Sequence, residues 1–272
     1  MTIDINVGKT MYPYPILFGL NLYDIALTLA ILIALLLCDK MMEKRKFSVA
    51  LQKLVLVGFL ICILFGFFSA FLFQGFYDFL ASKEFKLDST TGITFFGGLL
   101  GGAFAFLTVW FVGGKLFLKD DAKGEEKSKF TDMLDIAACC IPLAHGIGRL
   151  GCLAAGCCHG KETDAWYGIE MHTEKGLMTV VPLQLYEAIF LFLLAVLLFW
   201  LFYKKEKSFP LMPIYTFFYG LWRFTIEYFR ADDRGASFIP FLSPSQLTAI
   251  CLIIFAIVYY WTWIRSAKNA KT

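Results

Sequence analysis

The chain has 272 residues, 58% of them hydrophobic and 18% aromatic, with 30 phenylalanines, a composition that excludes an ordinary water-soluble domain and points to a polytopic membrane protein. A net charge of +3 gives no support to nucleic-acid binding, so the information lies in where Lys and Arg fall relative to the apolar runs. Residues 1–14, with Asp4, Asn6 and Lys9, do not fit a secretory signal, and the first span is expected to remain in the mature protein.

Runs long enough to cross a bilayer, about 20 mostly apolar residues, recur at 16–38, 51–73, 92–118, 131–153, 183–203, 210–230 and 244–264. The expected fold is an all-α integral membrane protein, a single polytopic domain over residues 1–272 with about seven transmembrane helices. After the second span, residues 74–91 set Phe76, Phe79, Leu80 and Phe85 among polar residues; this suits an interfacial arm and equally an ordinary loop. The third span carries Gly97, Gly98, Gly101 and Gly102, which let another backbone come close; Gly97 and Gly98 could also admit a lipid headgroup.

The fourth span is interrupted by Pro142, Gly146, Gly148 and Gly151, and holds or adjoins Asp132, Asp135, His145 and Arg149. Irregular, polar helices are tolerated in a bilayer where they face protein or a water-filled cavity, so this span is expected to be broken and interior. The fifth begins PLQLYE, with Gln184, Tyr186 and Glu187, and the seventh begins LSPSQL, with Ser243, Ser245 and Gln246. Pro182 and Pro244 suit first helical turns, and their polar neighbours are either caps or part of a site. In the sixth span Tyr219, Arg223, Glu227 and Arg230 are spaced by four, four and three residues and share one helix face. Arg223 and Glu227 alone would serve as glue between helices; the longer stripe reads as one wall of a polar cavity.

The loops 39–53, 115–129, 204–207 and the tail from Arg265 together hold 16 bases, against about seven in the opposite loops and the N-terminus. The positive-inside rule then places the N-terminus outside and the C-terminus in the cytoplasm. Residues 74–91, 154–182 and 231–243 fall on the outer side.

At the outer end of the fourth span lies the densest polar segment, His145 to Lys161, HGIGRLGCLAAGCCHGK. Cys38, Cys62 and Cys251 sit within apolar runs and read as small buried hydrophobes, but this segment adds Cys152, Cys157 and Cys158. Three chemistries compete. A metal would take the three cysteines with His159 and His145, although adjacent Cys157 and Cys158 are awkward ligands for one ion and no CxxC pair is present. A disulfide that opens and closes would use Cys152 with Cys157, or the vicinal pair. The third is anion handling, in which Arg149 in a glycine-rich bend joins Arg223 to hold a phosphate through charge-assisted bonds. At an outer-leaflet site the natural phosphate is that of a phospholipid.

In order, TFFGGLLGG (94–102), GIGRLGCLAAGCCHG (146–160), PLQLYE (182–187) and YGLWRFTIEYFR (219–230), followed by LSPSQL, resemble the segments of bacterial prolipoprotein diacylglyceryl transferases over roughly residues 92–250. The resemblance implies a multi-pass enzyme of the bacterial plasma (inner) membrane, among membrane lipids. It would transfer the diacylglyceryl group of phosphatidylglycerol to the lipobox cysteine thiol of a prolipoprotein, forming a thioether and releasing glycerol phosphate, with no metal or cofactor. It further implies that Arg149 is the essential arginine of the family's G-R-x-G-N segment, that Gly160 is the glycine closing that segment, and that Tyr219, Arg223 and Glu227 belong to a Y-G-x-x-R-x-x-x-E motif. Glu227 would orient Arg223, with Arg230 extending the face and Gln184 and Glu187 near the entry of lipid or peptide.

Two positions depart from the family. Phe96 stands where a histidine precedes the paired glycines, and Cys152 stands where the asparagine follows G-R-x-G. Tyr23 is an uncertain counterpart of the family's first-span tyrosine. His145 or His159 would then supply the missing base. Two further readings stay open: a transferase with a cysteine-bound intermediate or a different thiol acceptor, and a non-catalytic lipid or lipoprotein binding paralogue.

Overall fold

A computed structural model of the chain describes residues 20–82, 95–119, 122–173, 176–204, 209–231 and 241–269. Among these, the helices are α1 (Leu22–Lys44), α2 (Val49–Ser82), α3 (Phe95–Leu107), α4 (Gly114–Phe117), α5 (Glu125–Ser128), α6 (Phe130–Ala154), α7 (Leu183–Lys204), α8 (Met212–Ile226) and α9 (Pro244–Asn269). A π-helical stretch, Thr108–Gly113, joins α3 to α4, and one antiparallel hairpin, β1 (Ile169–Thr173) with β2 (Gly176–Val180), lies between α6 and α7. The fold is thus that of an all-α membrane protein. Among the described residues six helices are long and apolar enough to cross a membrane, Leu22–Lys44, Val49–Phe76, Gly97–Phe117, Phe130–Ala154, Leu183–Lys204 and Pro244–Ser266.

The sequence shows seven apolar runs, and α8 accounts for the difference. It has 15 residues of α-helix, about 22 Å at the helical rise, and then tightens into a 3-10 turn at Glu227–Phe229. A hydrocarbon core is about 30 Å thick. The first helix also starts later than its apolar run, because Asn21 and Asp24 cap it reciprocally. Asn21 Oδ1 accepts from Asp24 N at 2.9 Å, and Asp24 Oδ2 from Asn21 N at 3.3 Å.

The expected break in the fourth span is not found: α6 runs without interruption from Phe130 to Ala154 with Pro142 inside it. A proline removes one ladder hydrogen bond, and the turns on either side carry the helix through. Gly146 and Gly151 serve contact instead, while a Cβ on Gly148 would meet nothing within 4 Å. A Cβ on Gly146 would meet the Phe192 ring of α7 at 2.6 Å, and one on Gly151 would meet Ala26 at 3.1 Å and Tyr23 at 3.3 Å on α1, so side chains of both helices lie against α6 at these glycines. The real bend follows the helix, where Gly156 takes a φ of +64°. Residues 74–82 continue α2 as helix, so the ordinary-loop alternative for residues 74–91 fails over that stretch; residues 83–91 lie outside the described residues. So do residues 1–19, 205–208 and 232–240, on which parts of the terminal, basic-loop and outer-loop expectations rest.

The chain forms two compact units, residues 1–38 with 134–272, and residues 39–133. In the second, α2 and α3 approach closely: a Cβ on Gly97 would lie 2.5 Å from Phe73 and one on Gly101 2.3 Å from Ser69, while Trp110 donates its indole N–H to the Glu126 carbonyl at 2.6 Å. In the first, Asp135, one of the acids flagged within the fourth span, has a structural job. Its Oδ1 accepts from the Leu211 N–H at 2.7 Å, satisfying a donor at the start of α8 that the helix itself leaves unpaired. Gly220 brings α8 onto α9, where a Cβ would meet the Ala249 carbonyl at 3.0 Å, and Phe190 of α7 stacks on Trp222 of α8 at 4.4 Å.

Candidate functional site

The first unit gathers most of the polar residues singled out in the sequence. His145 and Arg149 lie one turn apart on α6, Glu187 and Gln184 on the first turn of α7, Tyr219 and Arg223 one turn apart on α8, and Ser243, Ser245 and Gln246 at the start of α9. Tight α6–α7 and α8–α9 packing through Gly146 and Gly220 holds these faces in register.

Glu187 is the hub. Its side chain is 1% exposed, with Arg149 Nε 2.8 Å from Oε2 and Arg149 Nη2 donating to Oε1 at 3.2 Å. This two-pronged grip fixes the guanidinium plane, a geometry that lysine cannot reproduce. His145 Nε2 lies 3.9 Å from the same Oε1, and its ring meets the edge of Tyr219 at 5.4 Å. Tyr219 stacks on Tyr215 at 5.8 Å and lies within range of Arg149, Glu187 and Arg223. Sequence inspection set Glu187 at the entry of the site; the structure makes it the anchor of Arg149.

Arg223 forms the second centre. Its Nη2 is 2.8 Å from Glu227 Oε2 and donates to Ser245 Oγ at 2.7 Å. Ser243 Oγ donates to Glu227 Oε1 at 2.8 Å, so the carboxylate paired with Arg223 is itself held. The other guanidinium nitrogen, Nη1, is buried and has no hydrogen-bond partner among the described residues. An unpaired buried cationic donor is costly, and an anion within reach of Nη1 would satisfy it. Ser243 caps α9 as well: its Oγ accepts from Gln246 N at 3.2 Å, and Gln246 Oε1 accepts from Ser243 N at 3.0 Å. In LSPSQL, then, Ser243 caps α9 while Ser245 bonds to Arg223. Ser245 was not assigned a partner from sequence, and its spacing two residues after the cap was the only signal available.

Between the two centres and the hairpin runs the Cys-rich turn. Cys152 ends α6, and Cys157 and Cys158 follow in a turn with two left-handed residues, Gly156 at φ +64° and Cys158 at φ +61°. The three sulfurs lie within 4.8 Å of one another. Hydrogen bonds from the Cys152 and Cys157 thiols, with Arg230 and Arg149 close by, hold the Cys158 sulfur far below the ordinary thiol range; Cys157, bonded to its two neighbours, is pushed up. Gln184 Nε2 donates to the Cys157 carbonyl at 2.6 Å, which ties the turn to α7.

Gly160 closes the segment as a three-way junction. Its N–H donates to the Val181 carbonyl at 2.8 Å, it bridges to Arg230, and a Cβ there would meet Leu183, Phe229 and Val181 each at 2.9 Å. Arg230 is buried beside it. His159 Nδ1 pairs with the Gly160 carbonyl at 2.8 Å, a backbone contact rather than one with the arginines. Gly97 and Gly98 belong to the second unit and pack against α2; the side chain of Phe96 lies outside the described residues. Tyr23 is placed beside Gly151 and near Arg149 and the three cysteines.

Gly156 gives a test of this turn. An added Cβ would lie 1.9 Å from the His172 carbonyl oxygen, and the left-handed φ alone costs a side chain about 1 kcal/mol or more. Gly156→Ala is expected to lower stability by at least about 2 kcal/mol, read as a lower thermal midpoint in detergent; an unchanged midpoint would show that the turn does not press on β1.

A family model described as prolipoprotein diacylglyceryl transferase matches residues 14–262. The chain is 32% identical over 251 residues to the phosphatidylglycerol–prolipoprotein diacylglyceryl transferase of Clostridium tetani, covering 90% of this chain and 94% of that protein. It is 30% identical over 204 residues to the transferase 2 of Clostridium perfringens, covering 65% and 79%, and 38% identical over 138 residues to the Campylobacter curvus enzyme, covering 50% and 49%.

Proposed function

This chain belongs to the prolipoprotein diacylglyceryl transferase family, and we propose that it transfers the diacylglyceryl group of phosphatidylglycerol to the lipobox cysteine of a prolipoprotein in the bacterial plasma membrane. The observation that carries this reading is the pair of anchored arginines, Arg149 on Glu187 and Arg223 on Glu227 and Ser245, with Arg223 Nη1 still unpaired. Together they suit one phosphodiester.

In the reaction the acceptor thiol loses its proton and the thiolate attacks the glyceryl carbon that bears the phosphate ester. A carbon–sulfur bond forms as the carbon–oxygen bond breaks, and the electron pair leaves on glycerol phosphate. Arg149 and Arg223 bind the phosphate and stabilise the charge that gathers on it; donors fixed in advance are often the largest catalytic term. His145, held beside Glu187 and Tyr219, is better placed than His159 to receive the proton, since His159 turns to its own neighbour's carbonyl. Tyr219, Gln184, Arg230 and Gly160 shape the site around these groups. The bases of the loops 39–53 and 115–129, whose side does not depend on whether α8 crosses, support an outward-facing site, with the N-terminus outside.

The test is growth of a bacterial strain depleted of its own diacylglyceryl transferase. Expression of this chain is expected to restore growth and lipoprotein modification, and expression of the Arg149→Ala form is not. If the membrane-inserted wild-type protein binds phosphatidylglycerol yet restores neither, the non-catalytic binding reading replaces this one.

A further inference from the structure

We propose that Cys152 and Cys158 form a redox modification site, bridged on exchange with an organic disulfide, and that the bridge strengthens the hold of Arg149 on the phospholipid phosphate. The second half rests on the transferase reading above. The turn after α6 folds back over the end of that helix: Gly156 N donates to the Leu153 carbonyl and Cys157 N to the Cys152 carbonyl, each at 3.2 Å. Cys158 then takes a left-handed φ of +61°, which is uncommon for a residue with a side chain and a form of strain that collects at functional sites. Three sulfurs are thereby gathered within 4.8 Å of one another, near enough for rotation about the Cα–Cβ bonds to bring two of them to the disulfide distance of about 2.05 Å. All three cysteines are half-buried, which leaves a small disulfide a path to them.

The surroundings select the pair. A bridge between the neighbours Cys157 and Cys158 would close a strained ring through the peptide that joins them. Cys157 also donates its thiol to the Cys152 carbonyl at 3.7 Å and is pushed up by its two neighbours, so it stays protonated, and only a thiolate is a good nucleophile. Cys158 is the opposite case. Hydrogen bonds from the Cys152 and Cys157 thiols, with Arg230 and Arg149 nearby, hold its sulfur as the thiolate, and Cys152 is the partner left to resolve what that thiolate attacks. The bonds that fix the turn leave both sulfurs available: Gln184 holds the Cys157 carbonyl, and Gly156 packs where no side chain fits.

The oxidant is an incoming disulfide, RSSR. The Cys158 thiolate attacks one of its sulfurs, the S–S bond breaks, and one RS⁻ leaves behind a mixed disulfide. Cys152 gives its proton to that RS⁻ and attacks the Cys158 sulfur, and the second RS⁻ leaves. Two electrons thus pass from the cysteine pair to RSSR, which departs as one thiol and one thiolate; a reducing thiol reverses the steps. Before bridging, the Cys158 thiolate sets a negative charge near Arg149 and Arg230 and offsets part of the field that Arg149 offers to a phosphate. Once bridged the sulfur is neutral, and the guanidinium, still gripped by Glu187, meets the phosphate with its charge unopposed from that side.

The full-length protein in detergent is equilibrated with glutathione at set ratios of reduced to oxidised form, then quenched, alkylated with maleimide and mapped by mass. The expected result is a two-electron transition in which Cys152 and Cys158 lose labelling together and appear in one cross-linked peptide, reversed by reductant, while exposed Cys251 labels throughout. Cys152→Ser is expected to stop at a glutathione adduct on Cys158. No bridge at any ratio, or a bridge through Cys157, overturns the site. Initial rates of glycerol phosphate release, with bridge content checked by mass after each run, are expected to give a KM for phosphatidylglycerol about tenfold lower in the bridged than in the reduced protein at similar kcat. Cys158→Ser carries no thiolate in either state and is expected to show the low KM in both. Equal KM in bridged and reduced wild-type protein overturns the effect on Arg149. A bridge that maps as expected in a protein releasing no glycerol phosphate leaves the redox site standing and removes the transferase reading, so the two fail separately; the affinity of each state for phosphatidylglycerol then decides the effect on Arg149.

Discussion

Arg149→Ala is expected to lower diacylglyceryl transfer by about a thousandfold or more, the upper range for losing one preorganised donor to a developing oxyanion. Arg149 is gripped through two nitrogens by a carboxylate that is 1% exposed, and the direction of its remaining donors is set by that grip. Arg149→Lys keeps the charge and loses the planar fork, so it should recover little and remain at least about a hundredfold slow. Removing the arginine also strands a buried carboxylate, at a cost of about 3–5 kcal/mol when one partner of such a pair is deleted. The comparison that separates chemistry from collapse is therefore Glu187→Gln with Arg149→Gln in one protein. If the double variant folds as the parent does and still lacks transfer, the guanidinium itself is required; transfer near the wild-type rate in that protein would remove Arg149 from the mechanism.

Arg223→Ala is expected to lower kcat/KM for phosphatidylglycerol by about a hundredfold to a thousandfold, with part of the loss in KM because Arg223 Nη1 is the donor left for a ligand. Ser245→Ala removes one hydrogen bond from Nη2 and should cost about fivefold, the effect of roughly 1 kcal/mol. Glu227→Gln keeps the shape of the support and removes its charge, so it should fall between the two. These effects are read from initial rates of glycerol phosphate release over a range of phosphatidylglycerol. An Arg223→Ala form with unchanged KM and kcat would show that the unpaired nitrogen faces no substrate.

The membrane class was legible in the apolar runs, and the stripe at Tyr219, Arg223 and Glu227 was legible because helical spacing alone places those residues on one face. The two anchors were not equally visible. Glu227 is four residues from Arg223 and could be paired from spacing, whereas Glu187 is 38 residues from Arg149 and only tertiary packing through Gly146 and Phe192 joins them. The glycines and Pro142 of the fourth span suggested a break, but α6 keeps its course through the proline, and Gly146 and Gly151 are contact points. The hairpin at residues 169–180 went unread because it lies among polar residues with a short alternation and no strong turn dipeptide; Gly176 at φ +104° is its one clear mark.

The cysteines are the clearest example of what sequence spacing hides. Cys157 and Cys158 are adjacent, yet with Cys158 at φ +61° their sulfurs lie within 4.8 Å of each other and of Cys152. Asp135 shows the opposite case. An acid within an apolar run invites a functional reading, and its carboxylate instead satisfies the first turn of α8.

The most direct measurement is a balance of products. Purified protein in vesicles containing headgroup-labelled phosphatidylglycerol is given a lipobox peptide, and the peptide's mass and the released label are followed together. The account predicts a diacylglyceryl adduct on the peptide cysteine and glycerol phosphate in equal amounts, both lost in the Arg149→Ala and Arg223→Ala forms. Adduct formed without glycerol phosphate, or undiminished in both variants, would contradict it.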